Sequence, residues 1–252
     1  MEYNREMIKN GIPAEIAELR VYDELDSTNS EAKRYALSGG KTPALFVADR
    51  QTAGRGRMGR SFYSPEGVGI YMSLLLSVKE SLDDTLLMTT AAAVAVRRAV
   101  YSVCGRDTDI KWVNDLYLDG KKVCGILCEL LGNEKMMIVG VGINLSTSDL
   151  PLEIAEIAGS LGVVGENVRE VLCAECASEL YRIWRELPSD TFSEEYRKHS
   201  LVLGKEISYT QNGETCFGTA ADIDSKGRLH VTDRNGDTHI LASGEISVRL
   251  RK

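Results

Sequence analysis

The sequence predicts an α+β protein that ends in a small all-β module. Three observations carry this. Over roughly the first 200 residues, apolar runs of strand length alternate with segments of helical period. Between Asp109 and Leu145 the strand-like runs follow one another, and Asp119-Gly120 supplies a two-residue hairpin turn. After Leu203-Gly204 no helical period remains, only short runs separated by turn pairs.

Taken in order, Val21 to Leu25 reads as a first strand. Thr28-x-x-Glu31 has capping-box spacing, in which hydroxyl and carboxylate satisfy each other's orphan amides. It opens a helix that Gly39-Gly40 close. Ala44 to Ala48 is a second strand, Val68 to Val78 a long apolar one, and Asp83 to Cys104 an alanine-rich helix suited to close packing on a sheet. Asp109–Val113 and Leu116–Leu118 lead into the hairpin, Lys121–Leu131 returns, and Lys135–Leu145 adds another strand. Val168, Val171, Leu172, Leu180, Ile183, Trp184 and Leu187 mark one face of a long amphipathic helix, followed by a short helix over Phe192–His199. Turns at Asn212-Gly213, Lys226-Gly227 and Asn235-Gly236 divide the tail into about five strands, a barrel. The expected division is 1–200 and 201–252.

With 252 residues, 43% apolar, 27% charged and a net charge of −7, the chain has the composition of an ordinary globular protein. No apolar run of about 18 residues suggests a membrane span, and MEYNREMIKNGIP has no signal-peptide core. A cytoplasmic protein without membrane association is therefore expected. The six cysteines read as reduced thiols. Cys173-x-x-Cys176 has no second pair at zinc spacing, and His199, His230 and His239 are remote in sequence, so these cysteines read as core.

Four segments carry chemistry. Arg50 to Arg60 places four arginines and three glycines in eleven positions of an acidic chain, which points to anions. Guanidinium forks fit phosphate or carboxylate, and glycine lets the backbone approach a ligand. Gly54-x-Gly56-x-x-Gly59 matches a dinucleotide fingerprint. That reading fails because no helix starts there; the loop runs on to Gly67. An RNA-binding RG loop remains an alternative, opposed by the acidic balance of the chain. Asn114-Asp115 interrupts two strand-like runs, either as a plain turn or as a holder of Mg²⁺ and nucleotide polar groups. Lys121 and Lys122 alternate to opposite faces, so one points inward, where an ammonium needs an anion; Gly125 leaves room beside it. Ser27-Thr28-Asn29 clusters hydroxyl and amide groups at a helix start, where capping accounts for Thr28.

In their order along the chain, STN, QTAGRGRMGR, KWVND, KKVCGIL and GIN, these segments resemble the biotin protein ligase family over about residues 21–146, and GEISVR near the end resembles its C-terminal module. The resemblance implies a mixed, mainly antiparallel sheet flanked by helices, of the class II synthetase and lipoate ligase type, with an SH3-like β-barrel after it. It implies biotin and MgATP as substrates and two steps. Biotin's carboxylate attacks the α-phosphorus to give biotinyl-5′-AMP and pyrophosphate. A lysine of a biotin carboxyl carrier domain, as in acetyl-CoA carboxylase, then takes the biotin.

On that resemblance Lys122 and Arg57 are the catalytic cations. Ser27, Thr28, Asn29, Gln51, Gly54, Arg55, Gly56, Arg57, Lys122 and Gly125 bind biotin. Arg55, Arg57, Lys111, Trp112, Asn114, Asp115 and Asn144 bind ATP, with Trp112 stacking near the adenine and Asp115 touching Mg²⁺. Residues 52–60 are expected to be a mobile lid that orders over the adenylate and excludes water. The family usually shows proline where Val113 stands and alanine where Cys124 stands; Cys124 is expected to bring sensitivity to thiol reagents. About twenty residues precede the first strand, too few for a DNA-binding helix-turn-helix, so no DNA binding is expected. The resemblance extends to family members that form a homodimer along a sheet and to others that are monomers, so the oligomeric state stays open. Lipoate or octanoate ligases and transferases of the same fold, and a non-enzymatic biotin sensor, are the rival readings.

Overall fold

The computed structural model describes residues 3–78, 85–133, 135–146, 151–163, 165–189, 191–211, 214–242 and 249–250. The elements are α1 (Arg5–Gly11), β1 (Glu18–Leu25), α2 (Thr28–Leu37), β2 (Ala44–Gln51), β3 (Gly69–Ser77), α3 (Thr85–Cys104), β4 (Asp109–Lys111), β5 (Asp115–Leu118), β6 (Lys121–Leu131), β7 (Met136–Asn144), α4 (Leu152–Ala155), α5 (Val168–Glu186) and α6 (Ser193–Lys198). β8 (Glu206–Gln211), β9 (Glu214–Ile223), β10 (Leu229–Thr232), β11 (Thr238–Leu241) and β12 (Arg249–Leu250) complete the chain.

A seven-stranded sheet runs β1-β2-β3-β7-β6-β5-β4. β1 and β2 are parallel and every other neighbouring pair is antiparallel, so the mixed, mainly antiparallel α+β fold holds. A five-stranded antiparallel sheet, β11-β10-β9-β8-β12, forms the C-terminal module of SH3-like barrel type. The expected turn at Asn212-Gly213 and most of the GEISVR stretch lie outside the described residues. The other hairpin turns are in place, with Asp119 and Gly120 both at positive φ, the backbone a two-residue turn requires.

The period-2 side-chain rule explains why β2, β3 and β7 are apolar on both faces. Leu45, Val47, Met72, Leu74, Val139 and Val141 pack on the side of α3 and α5, in the large core. Ala44, Phe46, Leu75 and Ile138 face the other way, against Ala32 and Ala36 of α2, in a second, smaller core. The polar cleft described below begins where that smaller core stops.

α3 is long and apolar enough by composition to cross a bilayer, yet Arg97 and Arg98 break its apolar run and it packs as a core helix. One expectation is corrected. Val171 does not belong to the buried face of α5; it is exposed, while Leu172, Leu180 and Ile183 are fully covered.

The large core continues into the C-terminal sheet through Ile207, Tyr209, Ala220 and Leu229. Near residue 200 the chain is not a free linker. Ser200 bridges Ile110, and the Leu201 amide donates to the Ile110 carbonyl at 2.8 Å.

Candidate active site

The polar strip beside α2 deepens into one cleft enclosing about 460 Å³ of atom-free space, mouth included. Ser27, Thr28, Asn29, Gln51, Arg55, Gly56, Arg57, Asn114, Lys122 and Gly125 all line it. They come from the start of α2, the end of β2, the arginine loop, the β4–β5 connection and β6.

The arginine loop is an arch with its own hydrogen bonds. Gln51 and Arg55 bridge Ser64 and Ser61, and the Gly56 amide donates to the Arg60 carbonyl at 2.7 Å. A Cβ on Gly54 would stand 2.3 Å from the Phe62 carbonyl. Gly54 therefore serves the close approach of the two limbs of the arch, and it does not line the cleft. Phe62, from the returning limb, does line it and meets Tyr71 edge-on at 6.3 Å.

β6 delivers Lys122 through an irregularity. Leu116 pairs with Cys124 and the next residue, Tyr117, with Lys122, so Val123 is an extra residue in the ladder. Strict alternation would send Lys122 and Gly125 to opposite faces. The bulge puts both on the cleft side, and a Cβ on Gly125 would lie 3.1 Å from Lys122 Nζ. As expected of the lysine pair, Lys121 is exposed while Lys122 points inward. Its ammonium meets the Asp115 carboxylate at 2.7 Å.

Four consecutive residues of the KWVND motif each hold a different part of the molecule. The Trp112 indole N–H donates to the Gly227 carbonyl of the C-terminal module at 2.9 Å. The Val113 carbonyl accepts from the Tyr196 hydroxyl of α6 at 3.1 Å. Asn114 accepts from Arg57 at 3.0 Å and donates to the Ile126 carbonyl at 2.9 Å. Asp115 pairs with Lys122. Arg57 is largely desolvated, which pulls its guanidinium below its ordinary pKa, and the nearby Asp115 charge opposes that shift.

Four of the residues expected to meet ATP, Lys111, Trp112, Asp115 and Asn144, lie outside the cleft lining. Trp112 does not stack in the cleft; its ring is 5% exposed and committed to Gly227. Lys111 lies over the Tyr117 ring, 5.3 Å from its centroid, away from the cleft lining. Asn144 donates to the Gly159 carbonyl at 3.0 Å and anchors the segment after α4. Asp115 reaches the cleft only through Lys122. Among the described residues no group of three or more His, Cys, Asp or Glu side chains could hold a metal. Thr28 is not the cap of α2. Ser27 is the N-cap residue, without a side-chain capping bond, and the Thr28 hydroxyl turns into the cleft network. Cys124 is buried away from the cleft, and burial pushes its thiol pKa up, so sensitivity to thiol reagents is not expected there.

Sequence reasoning missed the strand residues that shape the floor. Gly140 and Gly142 of β7 have no room for a side chain. A Cβ would meet Asn29 Oδ1 at 2.1 Å in one case and the Phe62 ring at 2.6 Å in the other. Two glycines spaced by two in an otherwise apolar strand were the available signal. Ser73 and Glu129, polar positions inside apolar runs, were also overlooked. Ser73 Oγ lies 2.8 Å from Thr28 Oγ1 and 2.6 Å from Asn29 Oδ1. Glu129 accepts from Asn29 Nδ2 at 2.8 Å and pairs with Arg55 at 2.9 Å.

A cation-lined cleft over the central strands of a mixed sheet, followed by a small β-module, is the arrangement expected of a ligase that activates a carboxylic acid. Residues 22–145 match the biotin/lipoate A/B protein ligase family, and residues 202–249 match the biotin protein ligase C-terminal domain. The bifunctional ligase/repressor BirA of Bacillus subtilis is 35% identical over 249 residues, covering 94% of this chain and 76% of its own. The biotin–[acetyl-CoA-carboxylase] ligase of Mycobacterium tuberculosis is 30% identical, covering 93% and 90%. Among solved structures, the biotin protein ligase from Aquifex aeolicus in complex with biotin and ATP superposes with a TM-score of 0.82 at 29% identity, covering 93% of this chain and 99% of that one. The chain belongs to the biotin protein ligase family.

Proposed function

We infer that the chain joins biotin to a carrier protein at the expense of ATP. The observation that carries this reading is the convergence of Arg55, Arg57 and Lys122, from two segments far apart in sequence, on one cleft. A carboxylate and a triphosphate repel each other, and fixed cations in a confined site offset that repulsion where charge develops. The biotin carboxylate oxygen attacks the α-phosphorus of MgATP and pyrophosphate leaves, giving biotinyl-5′-AMP. The ε-amine of a carrier lysine then attacks the anhydride carbonyl, AMP leaves, and an amide remains. Mg²⁺ enters as part of the nucleotide substrate.

Within this scheme Lys122 bridges the reacting carboxylate and phosphate. Before substrates enter, Asp115 holds its charge in place. Arg57, steadied by Asn114, and Arg55 clamp the two anions. Thr28 and Gln51 hydrogen-bond the ureido ring, and the arginine arch serves as the lid over the anhydride. The carrier is a biotin carboxyl carrier domain, of acetyl-CoA carboxylase or a similar carboxylase. We also propose a division into a catalytic unit of residues 1–200 and a module of 201–252, and a cytoplasmic setting.

ATP–pyrophosphate exchange tests the chemistry with biotin, lipoate or octanoate as the acid. Exchange with biotin alone is expected. Exchange with lipoate or octanoate only would move the protein to the sister activity, and no exchange with any acid would end the enzymatic reading.

A further inference from the structure

The cleft sits on a continuous chain of polar groups whose direction can be worked out. Asn29 Nδ2 carries two protons, and both neighbours it faces, Glu129 Oε2 at 2.8 Å and the Leu127 carbonyl at 3.3 Å, can only accept. The amide is therefore oriented with Oδ1 toward Ser73, 2.6 Å away. Ser73 is fully buried and has one proton. Asn29 Oδ1 has none to give, so the serine proton goes there. The Thr28 hydroxyl has two acceptors within reach, Ser73 Oγ at 2.8 Å and Gln51 Oε1 at 3.2 Å, and its one proton goes along the shorter contact to Ser73. Gln51 Oε1 is satisfied by the Thr28 amide at 2.8 Å, and Gln51 Nε2 donates to Ser64 at 2.9 Å. The Thr28 oxygen is left with lone pairs for the cleft. At the other end of the circuit, both carboxylate oxygens of Glu129 engage Arg55 on the arch.

We propose that Glu129 is a positioning residue that acts through Asn29 and Ser73 to present the Thr28 hydroxyl as a hydrogen-bond acceptor, selecting an acid whose ring carries N–H donors, while it ties Arg55 to the same circuit. This rests on the ligase reading above. A ureido ring offers such donors; a dithiolane ring or an alkyl chain does not. Glu129 can only accept, and that is what fixes the sense of every bond downstream. A glutamine there could both donate and accept, leaving Asn29 free to turn over.

The test compares Glu129→Gln, Ser73→Ala and the double variant by steady-state pyrophosphate exchange, with Ser73→Cys in reserve should the alanine variant fail to fold. Each single change should raise the biotin KM about tenfold, since a hydrogen bond of the buried circuit loses its partner or direction. For Ser73→Ala, which leaves the Arg55–Glu129 pair intact, the ATP KM should hold within about twofold and kcat fall less than about threefold; Glu129→Gln also loosens Arg55, so its readout is the biotin KM alone. The double variant should raise the biotin KM no more than Glu129→Gln alone, because both changes cut one circuit. Additive effects on the biotin KM, an unchanged biotin KM, or parallel rises in both KM values for Ser73→Ala would overturn the proposal even with a fully active parent protein. A parent protein inactive toward biotin would instead overturn the ligase reading.

Discussion

The two walls of the cleft are built differently. The wall that carries Lys122 is a tight hairpin in the middle of a paired ladder, with β5 on one side and β7 on the other. The wall that carries Arg55 and Arg57 is a loop whose backbone bonds are mostly to itself, and Arg55 and Met58 remain about half exposed. The strand fixes the central charge with little freedom. The arch carries charges whose side chains are held by two long-range contacts, Arg55 to Glu129 and Arg57 to Asn114. The contrast suits a site that must stay rigid where bonds change and still open to admit and release its ligands.

Predictions that break this contrast rank by expected effect. Lys122→Ala removes the fixed cation and should lower pyrophosphate exchange by about 10³-fold, with far-UV circular dichroism unchanged; a loss below tenfold would move the chemistry to the arch. Arg57→Ala should cost about 10²-fold in the same assay, the lesser effect because Arg55 stays on the same wall. Trp112→Phe sharpens the boundary of the site. It removes one donor from a buried carbonyl and should cost about 1–2 kcal/mol in urea unfolding while the ATP KM stays put; a large rise in that KM would restore the stacking role. The smallest effect belongs to Asp26 beneath the arch. Its bond with Arg34 holds its pKa down at about 2 against an ordinary 3.8. A depressed folded-state pKa stabilises above the unfolded value, so the contribution is present at neutral pH and lost as pH falls from 3.8 toward 2. The pair is half exposed and is worth at most about 1 kcal/mol. Asp26→Asn should flatten the acid limb of melting temperature against pH by that small amount.

Much of this was legible in the sequence because apolar periodicity is local. β6 and the Asp119-Gly120 turn fall where the pattern places them. The candidate site was legible where unusual residues cluster, in the arginine loop and beside Lys122. What escaped depends on contacts distant in sequence. The capping spacing at Thr28 is real, yet Ser73, 45 residues away, and Gln51 claim the hydroxyl. The indole of Trp112 reads as a stacking surface until Gly227, 115 residues on, takes its N–H. Alternation alone would separate Lys122 from Gly125, and a one-residue bulge reunites them.

The stretch from Trp112 to Asp115 ties the C-terminal module, α6, the arch and Lys122 to four adjacent residues. Grafting a foreign tail onto this enzyme, or trimming its own, would thus act at a distance. With the Gly227 carbonyl gone, the indole loses its mooring, and the slack passes along the peptide to the groups that aim Arg57 and Lys122. A truncated version should fail first as a catalyst and only second as a folded body, and a transplanted tail will work to the extent that it brings a hairpin tip to the same indole.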